Sequence, residues 1–77
     1  MNGKEFEALL DDVEHRIEKI RTYANDGDNE NAHVYEDDLL YFVLGTIRDE
    51  IMTIDQAKLL VMSISEVSDI GFSHWYA

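Results

Sequence analysis

Apolar residues recur along the first third of the chain at alternating intervals of four and three. The row consists of Phe6, Leu10, Val13, Ile17, Ile20 and Ala24, and Leu9 widens it. Because an α-helix has 3.6 residues per turn, this spacing places the whole row on one side of a helix. Asn2, with Glu5 three residues later, provides a start signal, and Gly27 can adopt the left-handed conformation that ends a helix. The pattern predicts an amphipathic helix over residues 3–24.

A second helix is predicted over residues 32–48, after a polar, turn-rich connector at 25–31. Its apolar side chains form two stripes. One contains Leu39, Phe42, Val43 and Ile47, and the other contains Leu40, Leu44, Ile47 and Ile51. A helix with two apolar faces packs within its own bundle on both sides, or packs on a partner as well.

A third helix is predicted over residues 54–68, because Thr53 and Gln56 have the spacing of a capping box. Its inward positions are expected to be Ala57, Leu60, Val61, Ile64 and Val67. The chain is therefore predicted to be a single acidic helical domain over residues 1–77. Its fold class is all-α, either a small three-helix bundle or a helical hairpin plus a third helix. An aromatic C-terminal tail, with Phe72, Trp75 and Tyr76, is expected to cover the helices rather than to form an interface.

Charge is the strongest constraint on function. The 17 Asp and Glu residues outnumber the 6 Lys and Arg residues, which gives a formal net charge of −11. A surface of this sign repels nucleic-acid phosphates and anionic membranes, so direct binding to either is excluded. Cysteine is absent, which rules out disulfides and thiolate metal sites and fits a reducing compartment. The first residues lack the apolar stretch of a signal peptide, and the longest apolar run, 39–44, is too short to cross a bilayer. We expect a cytoplasmic protein.

The acidic residues form two groups. On the first helix they follow the same periodicity as the apolar row, at Glu7, Asp11, Glu14 and Glu18. A second group lies between residues 26 and 38, where no Lys or Arg occurs, and comprises Asp26, Asp28, Glu30, Glu36, Asp37 and Asp38. Like charges at i,i+4 destabilise a helix by a few tenths of a kcal/mol per pair. These ten residues are the predicted partner-binding set, although a purely solvating role for them is about equally favoured.

Metal and catalytic motifs are weak in this sequence. Asp26, Asp28, Glu30 and Asp37 match some positions of an EF-hand loop, but Asn31 occupies the position that requires glycine. His33 is spaced to meet Glu36 and Asp37 on one helical face, yet nothing completes a metal ligand set, so it is interpreted as a polar residue of the first turn.

Acidic pairs typical of all-α nucleoside triphosphate hydrolases are incomplete at Asp11–Glu14 and at Glu36–Leu39. No cluster of Lys and Arg is present to hold the phosphates, and no serine lies in a nucleophile motif. No cofactor, no metal and no enzymatic activity are predicted.

The favoured function is therefore a non-enzymatic inhibitor that binds and blocks a basic surface of a partner protein. The blocked surface would suit a nucleic-acid-binding effector, which makes the chain resemble in action a DNA mimic or a phage-encoded anti-restriction or anti-CRISPR protein. One alternative is an immunity protein or antitoxin that masks a basic toxin. The other is a homodimeric assembly module joined through the first helix and the aromatic tail, with the acids only solvating it.

Overall fold

The computed structural model describes residues 1–72, which form three α-helices and no β-strand. Helix α1 spans Gly3–Asn25, α2 spans Asn29–Asp49 and α3 spans Ile54–Ser65. A 3₁₀ turn at Glu66–Asp69 continues α3. The all-α prediction of a small three-helix bundle is confirmed. Of the predicted aromatic tail, only Phe72 falls within the described residues.

Side-chain caps explain where the helices begin. The side chain of Asn2 accepts a hydrogen bond from the backbone N–H of Glu5 at 2.8 Å. Asp28 accepts from the backbone N–H of Asn31 at 3.2 Å, and α2 therefore starts three residues before the predicted position. A turn of only three residues joins α1 and α2. Gly27 lies within it and adopts the left-handed conformation, with a φ of 76°.

The hydrophobic core is built mainly on α1. Val13, Ile17 and Ile20 have no solvent exposure, and Phe6 and Leu9 are also buried. The remaining helices and the 3₁₀ turn complete the core with Ala32, Leu39, Val43, Leu60 and Val67. The apolar row of the first helix is therefore an intramolecular face.

Several apolar residues of α2, of α3 and of the connector between them lie outside this core. Leu40, Leu44 and Ile51 of the second predicted stripe are exposed. Val61, predicted to face inward, is 48% exposed, so that prediction was wrong. Successive helical residues are rotated by about 100°, and α3 is oriented with Leu60 in the core, which turns Val61 outward.

Within residues 1–72, none of the helices combines the length and the apolar character needed to cross a membrane.

The N-terminus is attached to the connector between α2 and α3. The amino group of Met1 donates to the backbone carbonyl of Ile51, and the side-chain amide of Gln56 donates to the carbonyl of Met1 at 2.9 Å. Gln56 also completes the predicted capping box with Thr53. These bonds fix the start of α1, and with it the acidic residues that follow, relative to the other two helices.

Candidate protein-binding surface

The acidic residues of α1 lie on the side of the helix away from the buried row. Glu7, Asp11, Glu14 and Glu18 are all exposed. The first and last of them are eleven residues apart, which corresponds to about 16 Å along the helix axis. Glu18 forms an ion pair with Arg21 at 3.3 Å. Among residues 1–72, no ion pair involves the other three, and we call Glu7, Asp11 and Glu14 the acidic face.

Two basic side chains of α1, those of Arg16 and Lys19, are held against aromatic rings of α2. The guanidinium of Arg16 lies 3.8 Å from the ring centroid of Phe42 on α2, and it also pairs with Asp12 at 3.1 Å. The ammonium of Lys19 lies 4.4 Å from the ring centroid of Tyr35. Cation–π contacts of this kind hold the cations against aromatic rings. As a result, these cations do not neutralise the acidic face.

Arg21 connects the end of the α1 acidic row to the 3₁₀ turn. Its guanidinium pairs with Glu18 and, at 3.4 Å, with Glu66. The hydrogen bond that Arg21 donates to Glu18 is the main reason that the pKa of Arg21 is raised, and the bond that it donates to Glu66 adds to the effect. Glu18 is therefore partly neutralised in place, unlike Glu7, Asp11 and Glu14.

The predicted acidic group at residues 26–38 is divided by the fold. Asp26, Glu30 and Asp38 are exposed and form no ion pair within the described part of the chain. Asp28 caps α2, and its second oxygen accepts from the side-chain amide of Asn31 at 2.7 Å. Residues 29–37 are helical, so the twelve-residue loop of an EF-hand does not exist here.

Glu36 and Asp37 lie beside a buried histidine of the same helix. The Nδ1 atom of His33 lies 3.1 Å from a carboxylate oxygen of Glu36, and its Nε2 atom lies 4.0 Å from one of Asp37. His33 is buried, and the Glu36 side chain is only 14% exposed. The interpretation of His33 as an ordinary first-turn residue missed this burial, although the i, i+3, i+4 spacing indicated the cluster. Residues 1–72 contain no group of three or more His, Asp or Glu side chains placed to hold a metal ion.

A stacked tyrosine pair holds α1 and α2 together near their connecting turn. The rings of Tyr23 and Tyr35 are 5.2 Å apart between centroids and inclined by 7°. The pKa of Tyr23 is raised, mainly by the neighbouring hydroxyl group of Tyr35. This contact fixes the end of the bundle on which Asp26 and Glu30 lie.

No known protein family, no curated protein and no solved structure matches this chain. Its function is therefore inferred from its own surface. Exposed, unpaired carboxylates are acceptors for Lys and Arg side chains. This protein has such carboxylates at two places, namely the acidic face and the group of Asp26, Glu30 and Asp38.

Proposed function

We propose that this protein is a non-enzymatic binding protein that docks its acidic face on a cationic surface of another protein. The supporting observation is that Glu7, Asp11 and Glu14 stand side by side, exposed and without an ion pair among residues 1–72. Repulsion between such neighbours costs a few tenths of a kcal/mol per pair. A docked cationic partner removes this cost, because its Lys and Arg side chains supply the missing counter-charges.

The spacing of the acidic face suits a site that normally binds nucleic acid. Its carboxylates recur about every 5 Å along the axis of α1, whereas the phosphates of one DNA strand recur every 3.4 Å along the duplex axis. A groove lined by Lys and Arg for phosphates therefore meets a comparable row of negative charges. In its specific form, the proposal is an inhibitor of a nucleic-acid-handling effector, such as a phage-encoded anti-restriction or anti-CRISPR protein. A chain without cysteine suits the cytoplasm as the compartment of this interaction.

The group of Asp26, Glu30 and Asp38 is proposed as a second, separable contact. Asp28, Glu36 and Asp37 are left out of it, because the first caps α2 and the other two contact His33. Six of the ten predicted partner-binding residues are thus retained in the proposal, and Glu18 is left out because it pairs with Arg21. The six are Glu7, Asp11, Glu14, Asp26, Glu30 and Asp38.

The proposal is tested by capture with charge-matched variants. The acidic-face variant is Glu7→Gln/Asp11→Asn/Glu14→Gln, and the control variant is Asp49→Asn/Glu50→Gln/Asp69→Asn. Both replace three exposed acids, so both reduce the net charge from −11 to −8. Each protein is immobilised and exposed to a bacterial lysate at low salt. We expect the wild type and the control to retain the same protein and the acidic-face variant to lose it.

The retained protein is then assayed for nucleic-acid binding with a labelled duplex. An inhibitor of the proposed kind releases the duplex in proportion to the amount added, and the release weakens as salt rises, because exposed charge pairs are screened. A retained protein that binds both triple variants equally well would contradict the proposed role of the acidic face. A variant with Asp26, Glu30 and Asp38 neutralised shows whether the second group contributes separately.

A further inference from the structure

Two tyrosine rings lie face to face where α1 and α2 meet beside their connecting turn. The rings of Tyr23 and Tyr35 are inclined by only 7°, with 5.2 Å between their centroids, and their hydroxyl groups are neighbours. Stacked aromatic rings commonly serve only to pack a protein. This stack differs because both of its members are phenols, which one-electron oxidants attack, and because the reactive ends of the two rings lie together.

Few side chains compete with this pair for an oxidant. Cysteine, which oxidants attack readily, is absent from the sequence. Tyr41 is 74% exposed but contacts no other ring among residues 1–72, and Tyr76 lies outside the described residues. Tyr23 and Tyr35 are therefore the only tyrosines in the described part of the chain whose rings are in contact.

We propose that Tyr23 and Tyr35 are an oxidative cross-linking site, at which a one-electron oxidant causes the two rings to become joined by a carbon–carbon bond. Each hydroxyl group loses one electron and its proton, which leaves a neutral phenoxyl radical on each ring. The two unpaired electrons form a bond between ring carbons adjacent to the carbons that carry the hydroxyl groups. The hydrogen atoms on the bonded carbons then move to the two oxygens and restore both phenols, so the product is two hydrogen atoms lighter.

A haem peroxidase with hydrogen peroxide is an oxidant of the required class. One molecule of peroxide accepts the two electrons and the two protons and becomes two molecules of water. The ammonium of Lys19 lies 4.4 Å from the centroid of the Tyr35 ring, and it disfavours a positive charge on that ring. The proton of Tyr35 therefore leaves together with the electron. Both tyrosines are partly exposed, which lets the released protons pass to water.

Contact between the rings makes the coupling an event within one molecule. Reacting groups that are already held together need no diffusional encounter, which is equivalent to a very high local concentration. Coupling between molecules requires an encounter of two copies that each carry a net charge of −11 and repel one another. We therefore expect the yield of the Tyr23–Tyr35 bond to be independent of protein concentration, whereas covalent dimers formed through Tyr41 should increase with it.

The bond joins α1 to α2 covalently and closes a loop over residues 23–35. A short covalent loop stabilises a fold mainly by restricting the unfolded chain. The Tm of the cross-linked protein should therefore rise, by roughly 10 °C for a loop and a domain of this size. Asp26 and Glu30 lie inside the loop, so oxidation fixes the end of the bundle that carries them.

The test treats the full chain with haem peroxidase and hydrogen peroxide at two protein concentrations, one about ten times the other. The oxidised monomer is digested with trypsin, which releases residues 22–48 as one peptide because they contain no internal Lys or Arg. A glutamate-specific protease then cuts after Glu30 and Glu36, and it separates the two tyrosines unless they are linked. Mass spectrometry is expected to show peptides 22–30 and 31–36 joined, with a mass two hydrogen atoms below their sum.

Phenylalanine variants identify the rings that react. Tyr23→Phe and Tyr35→Phe each keep an aromatic ring but lack the hydroxyl group, so each is expected to abolish the joined peptides. Tyr41→Phe is the matched control, and it should leave their yield unchanged while it reduces the amount of covalent dimer. Circular dichroism before oxidation checks that all three variants remain helical.

Joined peptides that are absent from the oxidised wild type, or that persist in Tyr23→Phe, would overturn the proposed site. Joined peptides found only in covalent dimers would also overturn it, because the bond would then form between molecules and not within the stack. A cross-linked monomer whose Tm is unchanged or lower would refute the stabilising role of the bond. None of these results bears on the acidic face, since no variant here alters its carboxylates.

Discussion

Neutralising the acidic face is expected to stabilise the free protein. In the variant Glu7→Gln/Asp11→Asn/Glu14→Gln, three like-charge contacts disappear: Glu7–Asp11 and Glu14–Glu18 at i,i+4, and Asp11–Glu14 at i,i+3. Each contact is worth roughly 0.2–0.5 kcal/mol, so the free energy of unfolding should rise by about 0.6–1.5 kcal/mol. Amides and acids of the same length have similar helix propensities, which leaves repulsion as the main difference.

The assay is urea unfolding followed by circular dichroism at 222 nm, with thermal unfolding as a second measure. For a domain of this size, the expected gain corresponds to a rise in Tm of roughly 2–12 °C. In 1 M NaCl the Debye length falls to about 3 Å, and most of the gain should disappear. Asp38→Asn is the control, because Asp38 is exposed and has no acidic residue three or four positions away. Its effect should stay within about 0.5 kcal/mol.

An acidic-face variant that is no more stable than the wild type at low salt would refute this reasoning. It would mean that the three carboxylates do not repel one another appreciably, or that contacts elsewhere already offset the repulsion. The support for a functional acidic face would then be lost, because its residues would carry no cost that a partner relieves. A gain of equal size in high salt would also count against it, since that gain would not be electrostatic.

Three further predictions concern the scaffold. Ile17→Ala should destabilise the bundle by about 2–5 kcal/mol in urea unfolding, because Ile17 is fully buried and its truncation leaves a cavity. Gly27→Ala should cost roughly 1 kcal/mol in thermal unfolding, since its φ of 76° is strained for any residue with a Cβ atom, although the space around it is open. In an NMR pH titration, Asp49 should titrate below its ordinary pKa, because Arg48 donates two hydrogen bonds to its carboxylate, and Arg48→Gln should abolish the shift. Any stability linked to that lowered pKa is present above the ordinary carboxyl pKa and is lost as pH falls through the lower value.

The sequence predicted the fold class because its strongest pattern is local. The row from Phe6 to Ala24 has a single periodicity, and it lies against the other two helices as that periodicity requires. The capping box at Thr53 and Gln56 is equally local, and both of its hydrogen bonds form. Features of this kind need only helix geometry, which is the same in every protein.

Features that depend on packing were harder to predict. Residues 25–31 contain several Asn and Asp side chains that are all good caps, so periodicity did not indicate that Asp28 starts α2. Helix α3 is apolar on both sides, and nothing in its spacing shows which side meets α1; Val61 was therefore placed inward. Choosing between two apolar faces requires knowledge of the neighbouring helices.

One part of the candidate surface was predictable from the sequence and another part was not. Glu7, Asp11 and Glu14 are exposed because they share the polar side of a helix whose apolar side is unambiguous. Glu36 and Asp37 belong to the same predicted binding set only because they too are negatively charged. They contact His33, which the fold buries, and a single histidine carries no clear sequence signal of burial.

The most direct test of the acidic face is calorimetric titration of the captured partner with the wild type and the acidic-face variant, at 50 mM and 300 mM NaCl. Three exposed ion pairs are worth roughly 0.6–3 kcal/mol together. The variant should therefore bind about 3- to 150-fold more weakly at low salt. Its Kd should also depend less steeply on salt than that of the wild type. Equal Kd values and equal salt dependences for the two proteins would contradict the central claim.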